Sequence, residues 1–383
     1  MKTRTMLSII MSFVLLISFT VYLGWNGLIY WRTVLPAAQD WIYWVLYALL
    51  AYGYLLAMLT RRFLPYRIYK TIKWVGAYGL ALMFYGLFTV PLANAAVWVL
   101  QKLGYSSSMS VAAAGTVVIT FLAILLMVGS RNAWSPVIRR YELNIAKRPA
   151  DGRTTLRIAV ASDIHLGTTV GNGHIKRLLH TMEKIKPDLI LIPGDVLDDS
   201  IEPFVIENMA ETLKNLRAPL GVYACLGNHE YIGGNVEEYV KRMKQIGIEV
   251  LVDRTVKVHE SFYVAGRKDI SSERFTKLGR MGLEELLREC NLSLPIIVLD
   301  HQPHRLNAAS EAGIDLMLSG HTHRGQMMPN HLITRRVFEL DWGYKRKGAM
   351  HALVSSGFGF WGPPVRIGSR SEVLDVTLRF AEV

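Results

Sequence analysis

The chain of 383 residues carries a net charge of +12, and 51% of its residues are hydrophobic, with a mean hydropathy of +0.23. This composition is too apolar for an ordinary soluble enzyme, so part of the chain is expected to lie in lipid. The charge does not indicate a nucleic-acid partner, because residues 1–150 hold 14 Lys and Arg against only Asp40 and Glu142, whereas residues 151–383 hold 29 of each sign.

Four apolar stretches are long enough to cross a bilayer, which takes about 20 helical residues. They are Met6–Leu23, Trp41–Leu59, Trp74–Leu100 and Met109–Val128. No small-residue cleavage site follows the first stretch, so it is predicted to be a retained helix rather than a secretory signal. Pro91 interrupts the third stretch, and a split there would give five spans and reverse the side of the C-terminal half.

Positive residues alternate between the connections and orient the predicted helices. Arg32 and Lys102 alone occupy one side. The other side receives twelve positive residues: Lys2, Arg4, Arg61, Arg62, Arg67, Lys70, Lys73, Arg131, Arg139, Arg140, Lys147 and Arg148. Because cytoplasmic loops are rich in Lys and Arg, a multi-pass cell-membrane protein with both termini and the whole C-terminal half in the cytoplasm is predicted.

The pattern changes after the fourth apolar stretch. Residues 1–128 are predicted to form a transmembrane domain, residues 129–150 a basic juxtamembrane linker, and residues 151–383 a water-soluble domain. Seven short apolar runs in the last region are typical of buried strands, at 156–162, 188–194, 221–227, 262–266, 294–300, 313–320 and 352–357. Helices are predicted at 173–186, 202–216, 235–246 and 303–312. This alternation favours an α/β fold with both sheet faces covered.

Polar residues follow five of these apolar runs directly. They form the blocks Asp163-Ile164-His165, Gly194-Asp195-Val196-Leu197-Asp198, Gly227-Asn228-His229-Glu230, His301, and Gly320-His321-Thr322-His323. One such block is as compatible with a helix cap or a local hydrogen bond as with a metal ligand. Open α/β sheets bind their ligands at the carboxyl ends of strands, and five blocks in that position indicate a common site. Carboxylate, imidazole and amide groups without thiolates suit Mn, Fe or Zn.

The order, spacing and strand context of these blocks resemble the calcineurin-like metallophosphoesterase superfamily over residues 156–357. The resemblance implies a four-layer α-β-β-α sandwich with two divalent metal ions at the sheet edges. It implies that Asp163, His165, Asp195 and His323 hold one ion, and that Asp195, Asn228, His301 and His321 hold the other. It also implies that His229 donates a proton or stabilises the transition state, and that Asp198 orients His229. Glu230 stands where many members have Asp, and this departure is not expected to alter ligation.

The resemblance implies a metal-dependent phosphoesterase in which a metal-bridged hydroxide attacks a phosphodiester or pyrophosphate. Two cations about 3.5–4 Å apart neutralise the anionic oxygens that repel hydroxide. No G-x-S-x-G, P-loop or dinucleotide-binding motif points elsewhere. The alternative from another class is a membrane receptor or scaffold whose similar domain has lost catalysis, and the complete ligand set argues against it. A transporter is not favoured, because the spans carry almost no charge.

The substrate is predicted to be lipid-linked, with the bilayer as the partner of the helices. The tail Ser355–Arg366 resembles a bacterial subgroup similar to enzymes that hydrolyse UDP-diacylglucosamine and lipid-linked substrates. Phe358, Phe360 and Trp361 in this tail are expected either to accept a lipid chain or to pack as a closing loop. Arg324 and Arg366, with Asn228, are the predicted substrate contacts. The alternative is a soluble nucleotide or cyclic phosphodiesterase whose helices serve only as an anchor.

Overall fold

The computed structural model describes residues 3–275 and 279–381. Lys2, which enters the topology prediction, and the terminal Val383 lie outside the described residues. The chain divides into two compact units. The N-terminal unit comprises Met1–Ser130 with Gly362–Val365, and the C-terminal unit comprises Arg131–Trp361 with Arg366–Val383.

The N-terminal unit is built from long helices, α1 (Thr3–Val34), α2 (Asp40–Thr60), α3 (Tyr66–Lys102) and α4 (Ser107–Trp134). All four have a segment long and apolar enough to cross a membrane. The sequence-based count of four is therefore the one that the structure supports. Pro91 lies inside the single helix α3, so the third stretch is not split at this residue.

Helices α2 and α3 approach each other closely through glycines. A Cβ atom on Gly76 would lie 1.9 Å from the backbone nitrogen of Tyr54, and a Cβ atom on Gly79 would lie 1.8 Å from the carbonyl oxygen of Leu50. Helices in lipid gain little from hydrophobic burial and associate through this kind of close backbone packing. These two positions therefore require glycine for steric reasons.

The predicted juxtamembrane linker at 129–150 is largely regular structure. Helix α4 continues to Trp134, and strand β1 (Val137–Ile145) pairs in parallel with a C-terminal strand, β12 (Glu372–Phe380). Arg139 and Arg140, counted above as topology signals, form ion pairs with Glu372 and Asp375 of that strand. The basic composition predicted a linker. An edge strand such as β1 also exposes charged side chains, so composition alone does not distinguish the two.

Two six-stranded mixed sheets form the centre of the C-terminal unit. The first has the order β1-β12-β2-β3-β4-β5 and the second β10-β11-β9-β8-β7-β6. The remaining strands are β2 (Thr155–Val160), β3 (Leu189–Pro193), β4 (Val222–Cys225), β5 (Glu249–Val250), β6 (Arg254–Val258), β7 (Phe262–Gly266), β8 (Ile296–Leu299), β9 (Leu316–Ser319), β10 (Gly343–Lys347) and β11 (Met350–Val354). Each of the seven predicted runs contains a strand, and the other five strands were not predicted.

Shorter helices surround the sheets, and most of them cover the outer faces. They are α5 (Asn172–Ile185), α6 (Glu202–Ile206), α7 (Met209–Leu213), α8 (Asn228–Ile232), α9 (Val236–Gln245), α10 (Ser272–Phe275), α11 (Leu283–Leu286), α12 (Leu306–Glu311) and α13 (His331–Val337). The helix predicted at 202–216 is broken in two at Asn208, which adopts a left-handed conformation with φ 48°. The other three predicted helices are present as α5, α9 and a shorter α12.

Three hydrophobic layers hold this unit together. The middle layer joins the two sheets through residues such as Ile158 and Leu318, while the outer layers join each sheet to its helices through residues such as Leu178 and Leu306. Three apolar layers separate four layers of secondary structure. The four-layer sandwich predicted from the sequence is therefore confirmed.

Candidate metal centre

The predicted site residues come together where both sheets end. Strands β2, β3 and β4 of the first sheet lead into Asp163, Asp195 and Asn228, and strands β8 and β9 of the second sheet lead into His301 and His321. Parallel pairing of β2, β3 and β4, and of β8 with β9, brings their carboxyl ends to the same edge. The two sheets therefore contribute to one site.

The loops that carry these residues have an unusual backbone. Five of the predicted ligands have positive φ: Asp163 (50°), His165 (52°), Asp195 (51°), His321 (69°) and His323 (48°). For residues other than glycine such conformations cost about 1–3 kcal/mol each and cluster at functional sites. Backbone hydrogen bonds from Asp163 to Gly194 and from His165 to Asp195 hold the loops in place. The fold thus imposes these side-chain directions on the chain.

The first cluster consists of Asp163, His165 and His323, all of them buried. The Nε2 atoms of the two histidines face each other at 3.0 Å, and Asp163 Oδ1 lies 3.5 Å from His323 Nε2. Burial and the neighbouring His165 hold the pKa of His323 well below its usual value. The ring is therefore neutral, which is the state in which imidazole binds a metal.

The second cluster consists of Asp195, His301 and His321. Asp195 Oδ2 lies 3.0 Å from His301 Nε2 and 3.9 Å from His165 Nε2, so this carboxylate faces both clusters. The amide oxygen of Asn228 lies 2.8 Å from His321 Nδ1 and 3.2 Å from His301 Nε2. His301 directs its other nitrogen, Nδ1, to the carbonyl oxygen of Pro193 at 2.8 Å, an outer contact typical of metal-binding histidines.

The chemistry of these groups fits a pair of cations. Asp163 and Asp195 are buried carboxylates, and neither forms an ion pair with a lysine or arginine among the described residues. Burial of an anion without a compensating positive charge costs several kcal/mol. Burial lowers the pKa of His301, but the charge of Asp195 raises it well above its usual value, so His301 is the nearest group that supplies such a charge to Asp195. His165 Nδ1 is also buried without a hydrogen-bond partner in the part of the chain that the structure describes. Divalent cations would compensate the carboxylates and engage the imidazole groups.

His229 lies beside the clusters, and its hydrogen bond differs from the predicted one. Its Nδ1 donates to Asp199 Oδ1 at 2.8 Å, whereas the nearest oxygen of Asp198 lies 3.8 Å away. Asp198 was predicted to orient this ring, and the structure gives the contact to Asp199 because consecutive residues of an irregular loop point in different directions. Burial lowers the pKa of His229, but the Asp199 hydrogen bond and the charge of Asp195 raise it to about 9.

Glu230 connects two of the site loops, a role that the sequence did not reveal. Its buried carboxylate accepts hydrogen bonds from the backbone nitrogens of Asp195 at 3.1 Å, Leu197 at 2.9 Å and Gly227 at 2.7 Å. The Glu230 carboxylate is therefore bonded to Asp195 itself and to Gly227, the residue before Asn228. The available signal in the sequence was an acidic residue directly after His229.

The two arginines predicted to contact substrate have different environments. Arg366 is fully buried, and its Nη2 donates to Gly359 O at 2.5 Å and lies 3.1 Å from His323 Nδ1. The prediction that Arg366 contacts substrate is not supported, because its guanidinium packs under His323 instead of facing solvent. Arg324 is partly exposed, and its guanidinium stacks on Trp342 at 3.9 Å from the ring centroid.

The aromatic tail also divides into buried and exposed parts. Phe358 and Phe360 are buried in the core beside the first sheet, so for them the packed-loop interpretation is the right one. Trp361 is 53% exposed, and its ring centroid lies 6.2 Å from that of His229. The side chain of Gln326 forms two hydrogen bonds with the backbone of Trp361, of 2.8 Å and 3.0 Å. An aromatic surface is thus fixed beside His229, at the edge of the candidate metal centre.

The sandwich and the overlapping groups of His and Asp side chains at the ends of its strands define a metallophosphoesterase domain. Residues 156–325 match the family described as calcineurin-like phosphoesterase. An uncharacterized metallophosphoesterase of Aquifex aeolicus is 30% identical over 262 residues, which cover 68% of this chain and 98% of that protein. The chain belongs to the calcineurin-like phosphoesterase family.

Two animal relatives are longer than the region they share with this chain. A "Transmembrane protein with metallophosphoesterase domain" of Danio rerio is 33% identical over 270 residues, which cover 68% of this chain and 61% of that protein. A putative metallophosphoesterase of Caenorhabditis elegans is 34% identical over 254 residues, covering 63% of this chain and 52% of that protein. The chain thus spans between half and two thirds of the length of these relatives.

Proposed function

We propose that the chain is a membrane-anchored phosphoesterase that uses two divalent metal ions. The observation that carries this proposal is the position of Asp195, whose carboxylate faces both buried clusters. Asp163, His165 and His323 would hold one ion, Asn228, His301 and His321 the other, and Asp195 would bridge them. Two such ions neutralise the phosphoryl oxygens and lower the pKa of a bound water. Donor type alone allows Mn, Fe or Zn.

The remaining residues of the site bind and orient the substrate. His229, held by Asp199, donates a proton to the leaving oxygen. Arg324 is held flat on Trp342 and presents its guanidinium to a phosphate oxygen, for which its planar donor geometry is suited. Trp361 offers the leaving group an aromatic surface next to His229. Binding, protonation and orientation thus have separate residues on this chain.

We propose a lipid-linked phosphodiester or pyrophosphate as the substrate. A phosphoesterase for soluble esters has no need of four apolar helices. The covalent connection is also short, because α4 ends at Trp134 and β1 begins at Val137. A soluble nucleotide or cyclic phosphodiester is the second candidate, favoured by the exposed indole of Trp361, on which a planar base can stack.

The test is a turnover assay of the full-length, metal-loaded protein in lipid nanodiscs. Lipid-linked pyrophosphates and soluble nucleotide diesters are compared as substrates, with Asp195→Asn as the inactive control. We expect the lipid-linked substrates to be preferred. Cleavage of soluble diesters alone would support the second candidate, and complete metal loading without any turnover would support the receptor or scaffold. A truncation at residue 151 is unsuitable, because it removes β1 from the first sheet.

We also propose that the C-terminal unit lies in the cytoplasm. The proposal rests on the alternation of positive residues along the connections. A reporter fused after the C-terminus is expected to be active only in its cytoplasmic form. Access of external protease to that end in intact cells would contradict the orientation and leave the metal assignment untouched.

A further inference from the structure

Helix α13 (His331–Val337) lies on the surface of the C-terminal unit, and none of its residues is buried. Three large aliphatic side chains of this short helix are mostly exposed: Leu332 by 55%, Ile333 by 63% and Val337 by 61%. A surface helix of a globular protein normally turns its apolar residues toward the core. Exposed large aliphatic side chains grouped on one short helix are the kind of surface feature that marks an interaction site.

The same region is basic, although the C-terminal half as a whole is neutral. Residues 324–347 contain six basic residues and two acidic residues, hence a net charge of +4, whereas residues 151–383 contain 29 of each sign. Arg335 and Arg336 belong to α13 itself, and neither forms an ion pair with any residue in the described ranges. Helix α13 therefore exposes aliphatic side chains together with arginines that form no ion pair among the described residues. Such a helix is suited to bind a partner whose surface is both apolar and anionic.

Helix α13 is hydrogen-bonded, through Asp341, to the loop that carries His321 of the second cluster and His323 of the first. Thr322, between His321 and His323, donates to the carbonyl oxygen of Asp341 at 2.5 Å, and Thr334 of α13 donates to the Asp341 carboxylate at 2.7 Å. Phe338, directly after the helix, has its ring centroid 5.8 Å from that of His321. Whatever binds α13 is therefore held beside the metal centre.

We propose that α13 inserts into the headgroup region of an anionic lipid bilayer. Leu332, Ile333 and Val337 enter the boundary of the acyl chains, and Arg335 and Arg336 bind lipid phosphates, as in other interfacial helices. A bilayer is favoured over a soluble partner because four apolar helices already keep this chain at a membrane. The proposal depends on this anchorage and not on turnover.

The test uses a fluorescent label on the full-length protein. Cys290 is first replaced by Ser so that it cannot react with the dye. Cys225 can remain because it is fully buried. An environment-sensitive dye is then attached to Ile333→Cys or, as a matched control, to Ile206→Cys, a residue 57% exposed at the end of α6. Each protein is placed in nanodiscs of phosphatidylcholine with or without phosphatidylglycerol. Quenching by iodide reports contact with water, and quenching by spin-labelled lipid reports contact with the bilayer.

We expect the label at 333 to be quenched by lipid and protected from iodide, most strongly with phosphatidylglycerol, while the label at 206 stays in water. Arg335→Gln and Arg336→Gln should each lower the ratio of inserted to aqueous label by about fivefold. Equal iodide access at both positions would overturn the proposal. Protection that persists in detergent and rises with protein concentration would assign α13 to a second copy of the chain, and would overturn it as well.

A kinetic measurement separates this proposal from the proposed function. The triple variant Leu332→Asn, Ile333→Asn, Val337→Asn should slow cleavage of a lipid-linked substrate and leave a soluble diester unaffected. If no lipid-linked substrate is cleaved even by the unmodified protein, the substrate proposal fails while the labelling result still decides whether α13 meets the bilayer. An equal loss on both substrates would show that the variant damages the metal centre, and the labelling result would then stand alone.

Discussion

The two units of the chain solve the same problem, the burial of polar groups, in opposite ways. In the helical unit the backbone satisfies its own hydrogen bonds. In the 18-residue apolar segment of each helix, only between 6% and 22% is buried within the protein. In the C-terminal unit strands such as β3 and β8 are fully buried, and carboxylates and imidazoles lie at their ends. The helices are thus suited to an apolar solvent, whereas the strand ends of the sandwich are suited to cations.

This difference predicts where substitutions act. Changes at the metal centre should abolish chemistry and leave the helices intact, because no apolar packing depends on the altered atoms. Changes in the helices should destabilise the helical unit and leave the chemistry intact.

Asp195→Asn should have the largest effect. The substitution keeps the size of the side chain but removes the charge that faces both clusters. We expect hydrolysis to fall by at least about 10²-fold while the protein still folds and inserts. The measurement is steady-state turnover by purified protein, with circular dichroism as the control for folding. Turnover close to that of the unmodified protein, at matched metal content, would rule out the bridging role.

His229→Ala should retain the metal ions and lose rate. Because this ring hydrogen-bonds to Asp199 and is assigned to the leaving group, we expect a loss of about 10²–10⁴-fold. The loss should shrink for substrates with good leaving groups such as p-nitrophenolate, which require no proton. The measurement compares rates for two leaving groups at known metal content. Purification of the variant without metal would make His229 a ligand.

Asp199→Asn should act more weakly, through His229. It weakens the 2.8 Å hydrogen bond to Nδ1, and a hydrogen bond to a charged group is worth roughly 1.5–3 kcal/mol, which corresponds to a rate loss of about 10–100-fold. Asp198→Asn is the matched control, since its nearest oxygen is 3.8 Å from the same nitrogen. We expect a loss in kcat for Asp199→Asn that is larger for poor leaving groups. A larger effect of Asp198→Asn would restore the role predicted from the sequence.

Gly76→Leu should have the smallest effect on catalysis and the clearest effect on the helices. A Cβ atom there meets the backbone of Tyr54 at 1.9 Å, so α2 and α3 must separate, at a cost of about 1–3 kcal/mol or more. Ala96→Leu, at an exposed position of α3, is the control. Thermal unfolding in detergent should shift down for Gly76→Leu alone. Both variants are expected to keep the metal content of the unmodified protein.

The two units also differ in how well the sequence predicted them. Composition and length alone located four helices, and the strand-end pattern located every predicted metal ligand at one site. The sequence could not show whether Asp198 or Asp199 bonds to His229, because the two neighbouring loop residues differ only in the direction of their side chains. Arg366 and β1 were misjudged for a similar reason. Charge suggested exposure, and the structure buries the arginine beneath His323 and pairs the strand with β12.

The most direct test of the central claim is the number of metal ions bound per folded chain. Full-length protein, purified and reloaded with Mn, Fe or Zn in turn, can be analysed by elemental mass spectrometry beside Asp195→Asn. The two clusters predict two equivalents in the unmodified protein and at most one tightly bound equivalent in the variant. An active preparation that holds one equivalent or none, with Asp195→Asn unchanged, would contradict the two-metal site.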